Sequence, residues 1–162
     1  MQTQDQHKLV DKIMKEGFTL IEIIITITIV AILMVGAFFS YVTLYSHTNV
    51  ASGLQIVEYA TKQAQDDAID EYLGYSEYGV YFYNNTVTIF PGTTYTQGNS
   101  LNTVYTLPLA IGITNIDPTD NNPIVFNGVN GQLENNGISV TIGNSNFTDT
   151  ININQNGAIS QQ

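Results

Sequence analysis

Lys15-Glu16-Gly17-Phe18-Thr19-Leu20-Ile21-Glu22 runs straight into the apolar segment Ile23 to Phe39, and the reading of this stretch decides the fold. From Leu20 to Phe39 only Glu22, Thr26, Thr28 and the small Gly36 interrupt the apolar character. That length is close to the roughly 20 residues a helix needs to cross a bilayer. The series Ile23-Ile24-Ile25-Thr26-Ile27-Thr28-Ile29-Val30 is β-branched and would also suit a buried strand. Strands usually stop near ten residues, however. In lipid the backbone must also satisfy its own hydrogen bonds, which imposes a helix whatever the propensity. Glu22 is the residue that needs a reason. An ionised carboxylate in hydrocarbon costs on the order of a few kcal/mol, so it either stays wet at the interface or carries a function.

The residues before this run are of a different kind. Met1 to Gly17 is polar and charged, with no apolar core of its own, so it is not an ordinary secretory signal. Lys8, Lys12 and Lys15 lie just ahead of the apolar run and, by the positive-inside rule, keep the N-terminus cytoplasmic. The same leader carries Asp5, Asp11 and Glu16. Removing it would therefore leave the side-chain charge at −10, with Lys62 as the one fixed cation.

Gly17-Phe18-Thr19-Leu20-Ile21-Glu22 and the apolar run together resemble the class III signal of type IV prepilins and type II secretion pseudopilins. The resemblance implies a prepilin peptidase that cuts between Gly17 and Phe18 and N-methylates Phe18. It also implies that Glu22, the fifth residue of the processed chain, pairs with the N-terminal amine of a neighbouring subunit. Electrostatics is consistent with that role. Opposite charges attract far more strongly in low dielectric, and each alone is costly there. A pair made only between subunits rewards assembly and sets axial register.

The chain has 162 residues, enough for one anchor and one modest domain. Beyond the membrane, Val50, Leu54, Val57, Ala60 or Thr61, Ala64, Ala68 and Tyr72 recur at spacings of three or four, one apolar stripe with most acids off it. Gly53 and Asn49 are the only candidate stops before Gly74-Tyr75, and no proline precedes Pro91. These features predict one nearly continuous helix over Phe18 to about Leu73, about 80 Å long. Many relatives of the resembled family bend this helix at a proline; here Gly36 is the only candidate for local flexibility.

After Leu73 the composition turns to Asn, Thr, Gly and Tyr, in short alternating runs between turn residues. Gly79–Tyr83 and Thr86–Phe90 flank Asn84-Asn85, a hairpin signal. Further strands are expected over Asn102–Leu107, Gly112–Ile116, Pro123–Phe126, Ile138–Ile142, Asp149–Ile153 and Ala158–Ser160. The expected fold class is α+β: a long N-terminal helix, transmembrane in its first half, packed on a small antiparallel β-sheet head, pilin-like. The expected segments are leader 1–17, transmembrane and assembly helix 18–40, amphipathic helix 41–73 and β head 74–162. The run of strands from Ile124 onward is similar to the end of the GspH/FimT group of minor pseudopilins.

No catalytic constellation stands out, and an enzyme is not expected. His7 lies in the leader and His47 stands alone beyond the membrane. The absence of cysteine and arginine excludes Cys/His sites, disulfides and arginine clamps. The lack of basic residues also disfavours nucleic-acid binding, which works through Lys and Arg at phosphates. No cofactor is implied. Asp117 and Asp120, on the loop Asp117–Asn122, are calcium candidates, since some pseudopilin heads bind calcium in such loops; the alternative is an ordinary Asp-Pro turn. Asp66, Asp67, Asp70 and Glu71 read as a solvated acidic face. Eight of the ten tyrosines lie from Tyr59 onward, as core and rim or as a sugar or protein contact face.

The resulting expectation is a minor pilin or pseudopilin of a type IV pilus, type II secretion or DNA-uptake filament. It would be a single-pass protein of the cytoplasmic or inner membrane before assembly, and part of a periplasmic or extracellular filament afterwards. Its expected partners are prepilin peptidase, other pilin subunits, an inner-membrane assembly platform and membrane lipid. The rivals are a major pilin of the same class and, from another class, a membrane-tethered carbohydrate- or protein-binding module with an uncleaved anchor, which has no use for Gly17, Phe18 or Glu22.

Overall fold

In the computed structural model residues 18–162 are described; Met1 to Gly17, and with them the expected leader and Gly17 itself, lie outside the described residues. Helix α1 spans Leu20–Ile69. It is the single helix among the described residues long and apolar enough to cross a membrane, with a mean hydropathy of 2.7 over its most apolar window. The chain divides into two compact units between Thr43 and Leu44.

Within the first unit every side chain from Phe18 to Thr43 is exposed. The hydroxyls of this run are turned inward onto the helix backbone: Thr26 donates to the Glu22 carbonyl at 2.7 Å, Thr28 to Ile24 at 2.7 Å, and Ser40 to Gly36 at 3.1 Å. Such back-bonding lets polar residues sit in an apolar segment without an open donor.

The second unit joins the rest of α1 to eight strands. The buried stripe of α1 is Val50, Gly53, Leu54, Val57, Ala60, Thr61, Ala64 and Ala68. It differs from the expected stripe in two places. Gly53 does not stop the helix. A Cβ there would stand 3.4 Å from the side chains of both Ile111 and Ile142, so glycine gives the strands close access to the helix. Tyr72 is exposed, because α1 ends at Ile69, short of Leu73. The acids Asp66, Asp67 and Asp70 crowd the negative end of the helix dipole with no basic residue in the last turn to offset them. Glu71 and Leu73 then adopt left-handed φ values of 50° and 54°, and Gly74 follows at 80°.

The strands form two four-stranded antiparallel sheets, the antiparallel β head that was expected. The first contains β1 (Glu77–Tyr83), β2 (Thr86–Pro91), β3 (Thr103–Thr106) and β5 (Ile124–Asn127), in the order β3-β2-β1-β5. The second contains β4 (Gly112–Asp117), β6 (Gly137–Gly143), β7 (Thr148–Asn154) and β8 (Ile159–Gln161), in the order β4-β6-β7-β8. Local alternation locates strands but carries no record of which sheet each joins. The chain changes sheet three times, after β3, β4 and β5. Val80 and Phe82 of β1, Val87 and Ile89 of β2, and Ile124 and Phe126 of β5 enter one core with Val140 and Ile142 of β6 and Ile151 and Ile153 of β7. These are the inward positions of a period-two pattern.

Two short devices tie connecting segments to the first sheet. Asn122 places its side-chain amide against β1 as a strand would: its Oδ1 accepts from Phe82 N–H at 3.1 Å and its Nδ2 donates to Phe82 C=O at 2.9 Å. On the free side of β5, Asn127 N–H donates to Gln132 C=O at 2.9 Å and Glu134 N–H to Val125 C=O at 3.0 Å, while Leu133 N–H reaches Gln155 C=O at 2.8 Å. The Gln132–Glu134 segment thereby closes the edge of the first sheet and ties it to the β7–β8 turn, removing a template for edge pairing.

Candidate assembly site and head surface

Phe18 is exposed and precedes the helix; Glu22 is the acidic residue of its first turn. Thr19 sets up this start: its Oγ1 accepts from Glu22 N–H at 3.3 Å and its carbonyl from Ile23 N–H at 3.2 Å. Thr19-x-x-Glu22 is the spacing of a capping box, a signal present in the sequence but not read there. A carboxylate is favoured at this end of the dipole. Phe18 and Glu22 thus lie together at the start of α1, with the Glu22 side chain exposed and polar anchoring supplied by Thr19. Gly17, the other half of the expected cleavage pair, lies outside the described residues.

Residues 14–38 match the family model of the prokaryotic N-terminal methylation motif. The structure is similar to the crystal structure of the type IV minor pilin FimU from Pseudomonas aeruginosa (strain PAO1), with a TM-score of 0.57 and 11 % identity over 72 % of this chain and 90 % of that one. The matched motif covers the start of α1, and the fold is similar to that of a minor pilin. No curated protein sequence matches the chain.

The remaining candidates on this pilin-like chain fall out differently. Asp117 closes β4 and Asp120 lies in the turn Thr119–Asn121. Among the described residues no group of three His, Cys, Asp or Glu side chains converges. Asp67 instead accepts a hydrogen bond from Gln63 Nε2 at 2.7 Å. His47 does not stand alone: its ring lies 3.8 Å, centroid to centroid, from Phe147, pinning α1 to the β6–β7 turn. Lys62 bonds Glu58 at 2.6 Å one helical turn away on an exposed surface, a contact worth at most about 0.5 kcal/mol.

The tyrosines divide into two groups. Tyr78 is buried and donates its hydroxyl to Tyr72 C=O at 2.7 Å, while Tyr105 packs edge-on to Tyr59 of α1 with centroids 5.7 Å apart. Burial pushes the Tyr78 phenol up to about 12, with the Asp67 charge adding to it; burial and then the neighbouring Tyr59 raise Tyr105 in the same direction. Tyr81 and Tyr83 occupy the opposite face of β1 with their rings 11° from parallel.

Proposed function

We infer that this chain is a minor subunit of a type IV-type filament and plays a structural, non-enzymatic part in it. Prepilin peptidase cuts between Gly17 and Phe18 and methylates the Phe18 amine. The apolar first part of α1 holds the precursor in the inner membrane and later packs with other pilins. Glu22 pairs there with a neighbouring subunit's N-terminal amine. The force comes from an assembly ATPase acting through a platform in the membrane. The observation that carries this reading is the Gly17-Phe18-Thr19-Leu20-Ile21-Glu22 motif leading into a membrane-length helix whose far end is built into a β head.

The test is the intact mass and N-terminal sequence of the protein extracted from membranes after co-expression with a prepilin peptidase. A chain beginning at an N-methylated Phe18 is the expected result. A chain still beginning at Met1, with the peptidase active on a control substrate, would refute the reading and favour an uncleaved, tethered binding module.

A further inference from the structure

The outer face of the first sheet carries an aromatic arrangement that neither the core nor the assembly helix uses. The register places Gly79 opposite Phe90, Tyr81 opposite Thr88 and Tyr83 opposite Thr86. Gly79 has no side chain, and the Phe90 ring lies over it in the space a Cβ would occupy. Tyr95, brought in by the loop after β2, meets Phe90 edge-on at 5.6 Å and stacks on Tyr81 at 4.2 Å, 19° from parallel. Tyr81 in turn lies 6.1 Å from Tyr83, which is 57 % exposed. The loop is held by its own bonds: Asn102 Nδ2 donates to Thr96 C=O at 2.9 Å and Leu101 N–H to Asn99 Oδ1 at 3.0 Å. The rings are therefore positioned before any ligand arrives, which lowers the entropic cost of binding.

Hollows of about 270 and 360 Å³ flank Tyr83 and Tyr95 and share Gln97 as a wall. Their linings offer phenol, hydroxyl and amide groups and no charged side chain, in a chain of formal net charge −10. A charged ligand would find no counter-charge there. An uncharged one with a C–H face for the rings and hydroxyls for the amides fits both parts of the surface. A third hollow, of about 310 Å³, also touches Tyr81 and Tyr83 but lies on the side of β4, lined by Ile113 to Ile116 and Asn122.

We propose that the outer face of the first sheet, built on Tyr81, Tyr83 and Tyr95 with Gln97 beside them, is a binding platform for a neutral polysaccharide. This goes beyond the filament reading and is independent of it, since a chain still beginning at Met1 would present the same face.

The test is isothermal titration of the full chain, kept in a detergent without sugar groups, with cellohexaose, chitohexaose and maltohexaose, and with dextran sulfate as a charged probe. At least one neutral hexasaccharide binds, with an affinity that does not change as salt is raised. Tyr83→Ala weakens that binding about tenfold, Gln97→Ala weakens it, and Tyr83→Phe retains it. Because Tyr83 and Gln97 are exposed, thermal melts of these variants should match the parent chain. Failure of all three hexasaccharides to bind would overturn the proposal, as would equal binding by Tyr83→Ala or preference for dextran sulfate. Self-association of the chain that Tyr83→Ala abolishes would reassign the face to a protein contact.

Discussion

Replacing Phe126 by alanine should remove a large part of the stability of the head. The side chain is fully buried, at the position where β5 faces Tyr78 on one side and bridges Leu133 on the other. A buried Phe withdraws about 200 Å² from water, worth about 5 kcal/mol at ~25 cal/mol per Å². Alanine retains part of this, and a compact denatured chain buries some of it already. The cavity left behind acts in the other direction. Together these give a loss of about 3–5 kcal/mol. At about 4 °C per kcal/mol for a domain of this size, the melting temperature should fall by about 12–20 °C. The assay is thermal unfolding by circular dichroism of the detergent-solubilised full chain, following the β signal. Val129→Ala is the control: three residues away and 92 % exposed, it should leave the transition unmoved. A drop of less than about 5 °C for Phe126→Ala, or one no larger than the control's, would refute the account of Phe126 as a core side chain of the head.

Three further outcomes follow from the same structure. Gly128→Ala should destabilise by about 1–3 kcal/mol, because its Cβ would collide with the backbone carbonyl oxygens of Ala68 and Ser76; chemical denaturation gives the value, and an unchanged midpoint would show that the collision is relieved without cost. Raising the pH should leave the head intact below the ordinary tyrosine range near 10 and weaken it as pH passes from there towards 12, since Tyr78 stays protonated in the folded chain after it has ionised in the unfolded one. Tyrosinate absorbance should show late-titrating phenols that Tyr78→Phe and Tyr105→Phe remove; their persistence would mean other residues are responsible. Glu22→Ala should leave membrane insertion intact and abolish entry into filaments, read by fractionation and shearing, and normal incorporation would disprove the register role.

The helix was legible because its signals are local and long: an unbroken apolar run and then a stripe repeating every three or four residues. Its end was less so. Nothing in the stripe shows that the helix ends at Ile69, among the acids Asp66, Asp67, Asp70 and Glu71, and leaves Tyr72 outside. The strands were legible from alternation and from Asn and Gly at turns, and the hairpin around Asn84-Asn85 follows directly from them. Their division between two sheets was not, because it depends on long-range pairings such as Tyr78 with Phe126. At the assembly site the motif was readable residue by residue, whereas the bonding role of Thr19 needed the cap geometry. The tyrosines were visible as a count and no more. Only the pairing of β1 with β2 shows that Gly79 admits Phe90, and that Phe90 guides Tyr95 onto Tyr81.

The inward-folded hydroxyls of the apolar run have a bearing on selectivity. In oil, two helices tell each other apart chiefly through the polar groups they can offer. Thr26, Thr28 and Ser40 have committed their donors to their own backbone, and Thr19 receives one from Glu22's own amide. Among the described residues of this segment the carboxylate of Glu22 is the charge still open to another molecule. The rest of the surface is mostly apolar, so in the proposed filament a single complementary charge level with Glu22 is what would fix this helix against its neighbour. In that proposed setting the segment would act less like a lock cut along its whole length than like a smooth rail with one detent.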